Sequence, residues 1–241
     1  MSMKYTIIFL LLALSLSAKT YVISGGKNNT PQIIASKIMK VAYSRSNLDV
    51  EIKFLNLEDS LKASNSGETD GEIARIKKIS LLYENLVIVP VQLITVDAIA
   101  FSKDTNITVT KWDDLKDYDV TIVKGAKFIE KAMQDMNKTF VPTFKEAFEN
   151  LVDNKTKIIV VPRLAGLKYI YLHDKLNIKP ISKSLQSVKL YHFVNKKNED
   201  LVPILKNILE DMKASGEINY WHKSYIKSLV PHHKPTSESS H

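Results

Sequence analysis

The feature that most limits the fold of this chain is the regular exchange of two hydrophobic periods along it. Stretches alternating every second residue, or short apolar runs, read as strands; apolar residues spaced three and four apart read as helices. Thr20–Ser24 reads as a strand, followed by the loop GGKNNTP and a helix from Pro31 to about Arg45 that carries Ile34, Ile38, Val41 and Ala42 on one face. Thr30 is the expected N-cap, with Pro31 at the first helical position. Asp49–Leu55 alternates as a strand, and a short helix capped by Asn56 ends at Gly67. Leu86–Pro90 and Gln92–Ser102 are Val- and Ile-rich strands. Beyond Asp104 come a short helix, a strand at Val120–Val123, a turn at Gly125 and another helix. Thr143 and Glu146 have capping-box spacing for a helix over Phe144–Val152. Lys157–Val161, Ile178–Ile181 and Val188–Val194 read as strands, Arg163–Lys175 as a helix, and the last two helices run from about Asp200 to Ser215 and through Trp221 to Ile226. Pro203 falls in the first turn of its helix and does not break it. Such alternation gives an α/β protein with mostly parallel sheets.

The first 18 residues stand outside that rhythm. Lys4 precedes an apolar run from Ile7 to Leu14, and small residues follow at Ser15, Ser17 and Ala18. This is the three-part pattern of a secretory signal peptide. The run is about half the length of a membrane-spanning helix, which needs about 20 apolar residues. Cleavage is expected after Ser17 or Ala18, with Ala18 preferred although Leu16 at the minus-three position is bulky. The chain contains no cysteine, so neither a disulfide nor a lipid-bearing cysteine is available, and a freely diffusing periplasmic protein fits. The formal net charge of +8 invites a nucleic-acid reading. The lysines, however, are scattered among Asp and Glu without an aromatic-basic motif, so the excess reads as a solvated surface or a cleft that attracts anions. The segment after Pro231, HHKPTSESSH, is polar and expected to be disordered. Its His232, His233 and His241 lack metal-ligand spacing, and no metal or cofactor is expected anywhere in the chain.

Three segments together resemble the family-3 extracellular solute-binding proteins. SGETDGEIARI at residues 66–76, followed by YENLVIVPVQL, is similar to the family's G-x-x-D-G-x-x-x-R stretch. WDDLKDYDVTIVKGAKF at 112–128 is similar to the opening of the second lobe, and LYHFVNKKNEDLVPILKNILEDMKASGEINYWHKSYI at 190–226 to the closing segment. The match spans nearly all of the chain beyond the leader, and the order and spacing of the segments carry it. Two departures fall in cleft loops. GGKNNTP replaces the usual aromatic-proline loop, and IARIKKISLLYENL stands where T-x-E-R is usual. The resemblance implies a two-lobed type II periplasmic binding-protein fold. Residues 19–102 and 189–231 would form lobe one, residues 103–188 lobe two, and crossings near Phe101–Lys103 and Leu190–Phe193 the hinge. Ligand would bind between the lobes, and closure would bury it.

Candidate ligand residues follow. Arg75 has the planar fork that holds a carboxylate bidentately; its alternative is a surface ion pair with Glu72 or Glu84. Gly125, Ala126 and Lys127 open a helix, whose free N–H groups favour anions, and the resemblance places a ligand carboxylate near this turn; an ordinary strand-to-helix turn is the alternative. Thr30 is either a second helix-terminus contact or simply a cap. Arg163, after the buried IIVVP run, is a second anion contact or a solvated first-turn arginine. Glu72 would meet an amino group, although an exposed surface position is its default. Trp112, Tyr83 and Trp221 are expected to pack the core or hinge.

The leading functional expectation is a monomeric periplasmic solute-binding protein. It would take up a small, amino-acid-like carboxylate for an inner-membrane ABC permease, without nucleic-acid partners or membrane insertion once the leader is cleaved. A sensory binding module is the second reading. A dehydratase-like enzyme on the same fold is the third; Glu72, Asp97 and His192 are its only acid–base candidates, and no spacing pairs them. No nucleophile motif is present, so no catalytic residue is assigned.

Overall fold

A computed structural model describes residues 19–173 and 176–229. Residues 1–18, expected to be a signal peptide, and the tail 230–241, with its three histidines, lie outside the described residues. The elements alternate along the chain. In order they are β1 (Thr20–Gly26), α1 (Thr30–Arg45), β2 (Asp49–Leu55), α2 (Leu57–Ser66), β3 (Gly71–Ile76) and β4 (Leu86–Ser102). Then come β5 (Val120–Val123), α3 (Lys127–Ala132), β6 (Lys138–Val141), α4 (Phe144–Val152), β7 (Ile158–Pro162) and α5 (Arg163–Leu172). The chain continues through β8 (Lys179–Pro180), β9 (Gln186–Asn195), α6 (Leu201–Ala214) and α7 (Glu217–Leu229).

The strands join in the order β2-β1-β3-β9-β4-β7-β5-β6, with β8 beside β4. The outer strands are parallel: β1 with β2 and β3, and β5 with β6 and β7. Parallel neighbours need a crossover, and α1 to α4 supply it. The two strands that run between the lobes, β4 and β9, pair antiparallel with each other and with their neighbours β3 and β7. At Ala98 the pairing of β4 passes from β9 to β7.

Two apolar cores flank this crossing and make the protein two-lobed. In lobe one, Ile23, Ile73, Val89 and Val194 of the sheet pack against Ile34, Ile38 and Met39 of α1 and Leu205 and Leu209 of α6. In lobe two, Val120, Ile122 and Ile158–Val161 pack against Phe144, Phe148 and Leu151 of α4. One residue crosses over: Leu57, the first residue of α2, is buried in the core of lobe two. Phe128 of α3 touches both cores. The lobes are therefore in contact through packed side chains. Among the described residues no helix is long and apolar enough to cross a membrane.

Several local expectations are met residue for residue. β2, β5 and α4 have the expected limits, and Gly67 ends α2 in a left-handed conformation with φ 82°. Thr143 caps α4 by accepting from the Glu146 N–H at 3.2 Å. The cap of α1 is a correction. Asn29, not Thr30, takes that place, its side chain accepting from the Gln32 N–H at 3.4 Å. Asn caps better than Thr, and the extended backbone of Asn29 sets the helix start one residue earlier. The expected break at Pro90 is also absent: β4 runs through it as one strand, with irregular pairing to β9 between Ile88 and Gln92.

Candidate functional site

The site forms where β3, the first turns of α1 and α2, and the β5–α3 turn converge between the lobes. Arg75 comes from β3. Residues three apart on a strand point to opposite faces, yet Glu72 and Arg75 meet, because the pairing of β3 with β9 slips between them. The Arg75 Nε donates to Glu72 at 2.8 Å, and both side chains are buried. One terminal nitrogen of Arg75 donates to the Leu57 carbonyl at 2.6 Å and the other to the Gly125 carbonyl at 3.1 Å. The guanidinium thus spans from its own lobe to the backbone of the other.

Glu72 has no exposed surface, which corrects the expectation of a surface position. Ser60 donates to its carboxylate, and Ser24, Ser64 and the Gln32 amide stand 3.5 Å from it. Burial pushes the Glu72 carboxyl above its usual range, opposed by Arg75 and the Ser60 and Ser64 hydroxyls. The arrangement is the ion pair considered for Arg75, but inside the protein rather than on its surface. Glu84 takes no part in it.

Lobe two faces this pair with the turn Gly125-Ala126-Lys127. Gly125 has φ 92°, and a Cβ there would lie 2.5 to 2.7 Å from the backbone and Cβ of Leu57 and Glu58. Only glycine lets the two backbones approach this closely. The Gly125 N–H donates to the Glu130 carboxylate at 2.5 Å, and the Ala126 N–H to the Val123 carbonyl at 3.1 Å. The start of α3, considered above as an anion site, is therefore occupied by a carboxylate of the chain itself. The Lys127 Nζ lies 2.7 Å from Glu58 of α2 and 3.0 Å from Glu130, so it ties the lobes together. Burial works against the Lys127 ammonium, but the bonds to Glu58 and Glu130 outweigh it and hold its pKa above the usual range. Burial works against the Glu58 carboxylate too, but the bond to Lys127 and the charges of Lys127, Lys62 and Lys124 together hold it below its usual range.

Between these groups is a cavity of about 40 Å³, counted over positions open to the centre of a water molecule. Arg75, Gly125, Ala126 and Lys127 line it, with Asn29 and Gln32 as further polar neighbours. Leu57, Ile76, Ile79, Val96, Phe128 and Leu190 make the walls mainly apolar. Four of the seven candidate residues therefore come together here. Glu72 stands directly behind Arg75. Thr30 is buried off the cavity wall, and its hydroxyl has no partner among the described residues. Arg163 also lies off the wall: it is half-exposed, with its Nε 3.6 Å from Asp97. The neighbouring Pro162 lines the cavity instead.

Sequence reasoning missed Gln32 and Glu58. Gln32 accepts from the Gly26 N–H and donates to the Ala74 carbonyl at 2.9 Å, fixing the loop between β1 and α1. Its signal was a buried amide one residue after a helix-starting proline. Glu58 reads as an ordinary first-turn acid, and its partner is 69 positions away in the sequence. The acid–base candidates do not form a pair. His192 is buried against Tyr43, which lies 3.2 Å from its Nε2, and its Nδ1 donates to the Ile73 carbonyl at 3.3 Å. Asp97 instead meets Ser184, Ser187 and Arg163. Among the described residues no group of three or more His, Asp or Glu is placed to hold a metal ion.

No family model and no curated protein sequence matches the chain. Solved structures do match. An ancestral arginine-binding protein bound to arginine is 17% identical, with a TM-score of 0.74 over 86% of this chain and 97% of its own. A histidine kinase sensor domain with similarity to periplasmic binding proteins is 16% identical, with a TM-score of 0.74 over 87% of this chain and 96% of its own. The arginine-, lysine-, histidine-binding protein ArtJ from Geobacillus stearothermophilus is 14% identical, with a TM-score of 0.73 over 87% and 96%. At such identities the likeness is one of fold: the chain has the two-lobed architecture of periplasmic binding proteins.

Proposed function

We propose that this chain is a periplasmic solute-binding protein that closes its two lobes on a small carboxylate-bearing solute and presents it to an inner-membrane ABC-type transporter. The observation that carries this reading is Arg75. It is a buried guanidinium at an interlobe cavity, held rigidly by Glu72 and bonded to the backbone of both lobes. A group so placed senses a bound anion and the closure of the lobes together. Three of its candidate neighbours, Gly125, Ala126 and Lys127, complete the same wall. The amino acids named for the structural neighbours are carboxylate-bearing solutes, which makes small carboxylates the class to screen. Thr30 and Arg163, set apart from the cavity, are not assigned to this ligand.

A thermal-shift screen of the protein without residues 1–18 tests the reading. A ligand that binds only the folded form raises the unfolding midpoint by mass action. A carboxylate is expected to raise it and to compact the protein in small-angle scattering. Gly125→Val, which forces the lobes apart at α2, should lose the compaction. No shift with any carboxylate would defeat the proposal. A second reading, a sensory binding module, is favoured by the equal likeness to the histidine kinase sensor domain. Co-purification with a permease or with a sensor protein separates the two.

A further inference from the structure

The proposed solute-binding role leaves open which carboxylate the cleft takes, and the inference below rests on that role. The cavity has about 40 Å³ open to water centres. One water needs about 10–15 Å³ by this measure, so the space holds about three waters, the room of a solute of about four to six non-hydrogen atoms. The charged side chains on its wall are Arg75 and Lys127, and the lining residues include no Asp or Glu. The nearby carboxylates are already engaged: Glu72 by Arg75, and Glu58 and Glu130 by Lys127. A ligand ammonium would find no free carboxylate on the wall, and burying it unpaired is costly. A carboxylate needs N–H donors, and Arg75 has some unused. A guanidinium carries five N–H groups, and three of those on Arg75 are bonded, which leaves two to donate. Leu57, Ile76, Ile79 and Phe128 offer an alkyl chain apolar walls.

We propose that the cleft selects a short unbranched monocarboxylate, of about two to four carbons by the volume above, and rejects α-amino acids. The carboxylate lies on Arg75, and the alkyl end points at the apolar wall. The structural neighbours named for arginine would then share the lobes of this protein but not its ligand.

Titration calorimetry and thermal shift with acetate, propionate, butyrate, glycine, alanine and arginine, at matched ionic strength and millimolar concentration, test this. Propionate or butyrate should saturate, and the three amino acids should bind at least tenfold more weakly. Ala126→Leu fills the cavity without touching the Glu72–Arg75 pair and should abolish monocarboxylate binding while its circular dichroism stays unchanged. Glycine, alanine or arginine binding as tightly as propionate overturns the selectivity and leaves the solute-binding role standing. Monocarboxylate binding that survives in Ala126→Leu overturns the assigned place. Binding of none of the six overturns the selectivity, and a wider screen that also finds no carboxylate overturns the role with it.

Discussion

Among the described residues, lobe one buries Asp70, Glu72, Arg75, His192 and Gln32, whereas the buried polar side chains of lobe two are the hydroxyls of Thr121 and Thr156. Apolar packing tolerates substitution as long as volume is kept, but buried charge demands partners at fixed positions. Lobe one is thus the half whose geometry is fixed by hydrogen bonds. Arg75, Glu72, Ser60 and Gln32 form one connected set, and a second set joins Asp70 to Asn198 and the Val22 N–H. Lobe two brings to the cleft a backbone carbonyl, at Gly125, and one ammonium, at Lys127. Under the proposed function, the rigid half would hold the ligand-facing cation and the apolar half would close on it.

The strongest way to break this contrast is to remove polar groups from each half. Arg75→Ala leaves the fully buried Glu72 carboxylate without its cation, and breaking a buried pair in this way costs about 3–5 kcal/mol. Thr121→Val should cost nearly nothing, or stabilise slightly, because the Thr121 hydroxyl is buried without a partner and a methyl group replaces it at equal volume. Urea unfolding of the two variants measures both. Equal losses would mean that the polar set of lobe one is no more demanding than the core of lobe two.

Acid should also act on lobe one. Burial is the main cause that lowers the His192 pKa to about 4 from 6.5, against the raising effect of its backbone bonds near Ile73 and Glu72. The folded form therefore resists protonation that the unfolded chain accepts. Stability is complete above about pH 6.5 and falls as pH drops towards 4, at up to about 1.4 kcal/mol per unit, below which the two states bind the proton alike. Unfolding midpoints measured from pH 7 to 4 should show this slope, and His192→Gln should flatten it. An unchanged slope in that variant would assign the acid sensitivity to other groups.

How much of this was legible depends on whether a pattern is local. The α/β alternation was, as was the capping of α4 by Thr143, since both are written within a few residues. That Arg75 and Gly125 to Lys127 come together at one cavity was legible from segment order, while Thr30 and Arg163 fall away from it. β3 was not read as a strand, because Glu72 and Arg75 interrupt its apolar residues and both are buried. Its alternation is also offset by the slip in register between them. β6, KTFV, was missed for the opposite reason: it is a short edge strand that exposes its middle residues. The surface position expected for Glu72 failed because its cage comes from Ser24, Gln32, Ser60 and Ser64, on three different elements. No window of sequence shows that convergence.

A further effect is expected on the seam between the halves. Lys127 and Glu58 are paired at 2.7 Å, and their side chains keep only 18% and 15% of their surface in solvent. A pair this far out of water contributes at least about 1 kcal/mol, the upper end for exposed pairs, and it weakens with salt. Lys127→Met keeps the stem that covers the cavity wall and removes the charge. It should leave the fold and the polar set of lobe one intact, and shift the balance towards the open form by a factor of at least about five at low salt. A fluorophore pair across the cleft would read that balance. The difference from the unaltered protein should shrink as salt rises, because only an electrostatic tie is screened. A difference that persists at high salt would mean that Lys127 acts through packing against Phe128 and α2. The closure of lobe two would then be apolar throughout, and the contrast between the halves sharper than the ion pair suggests.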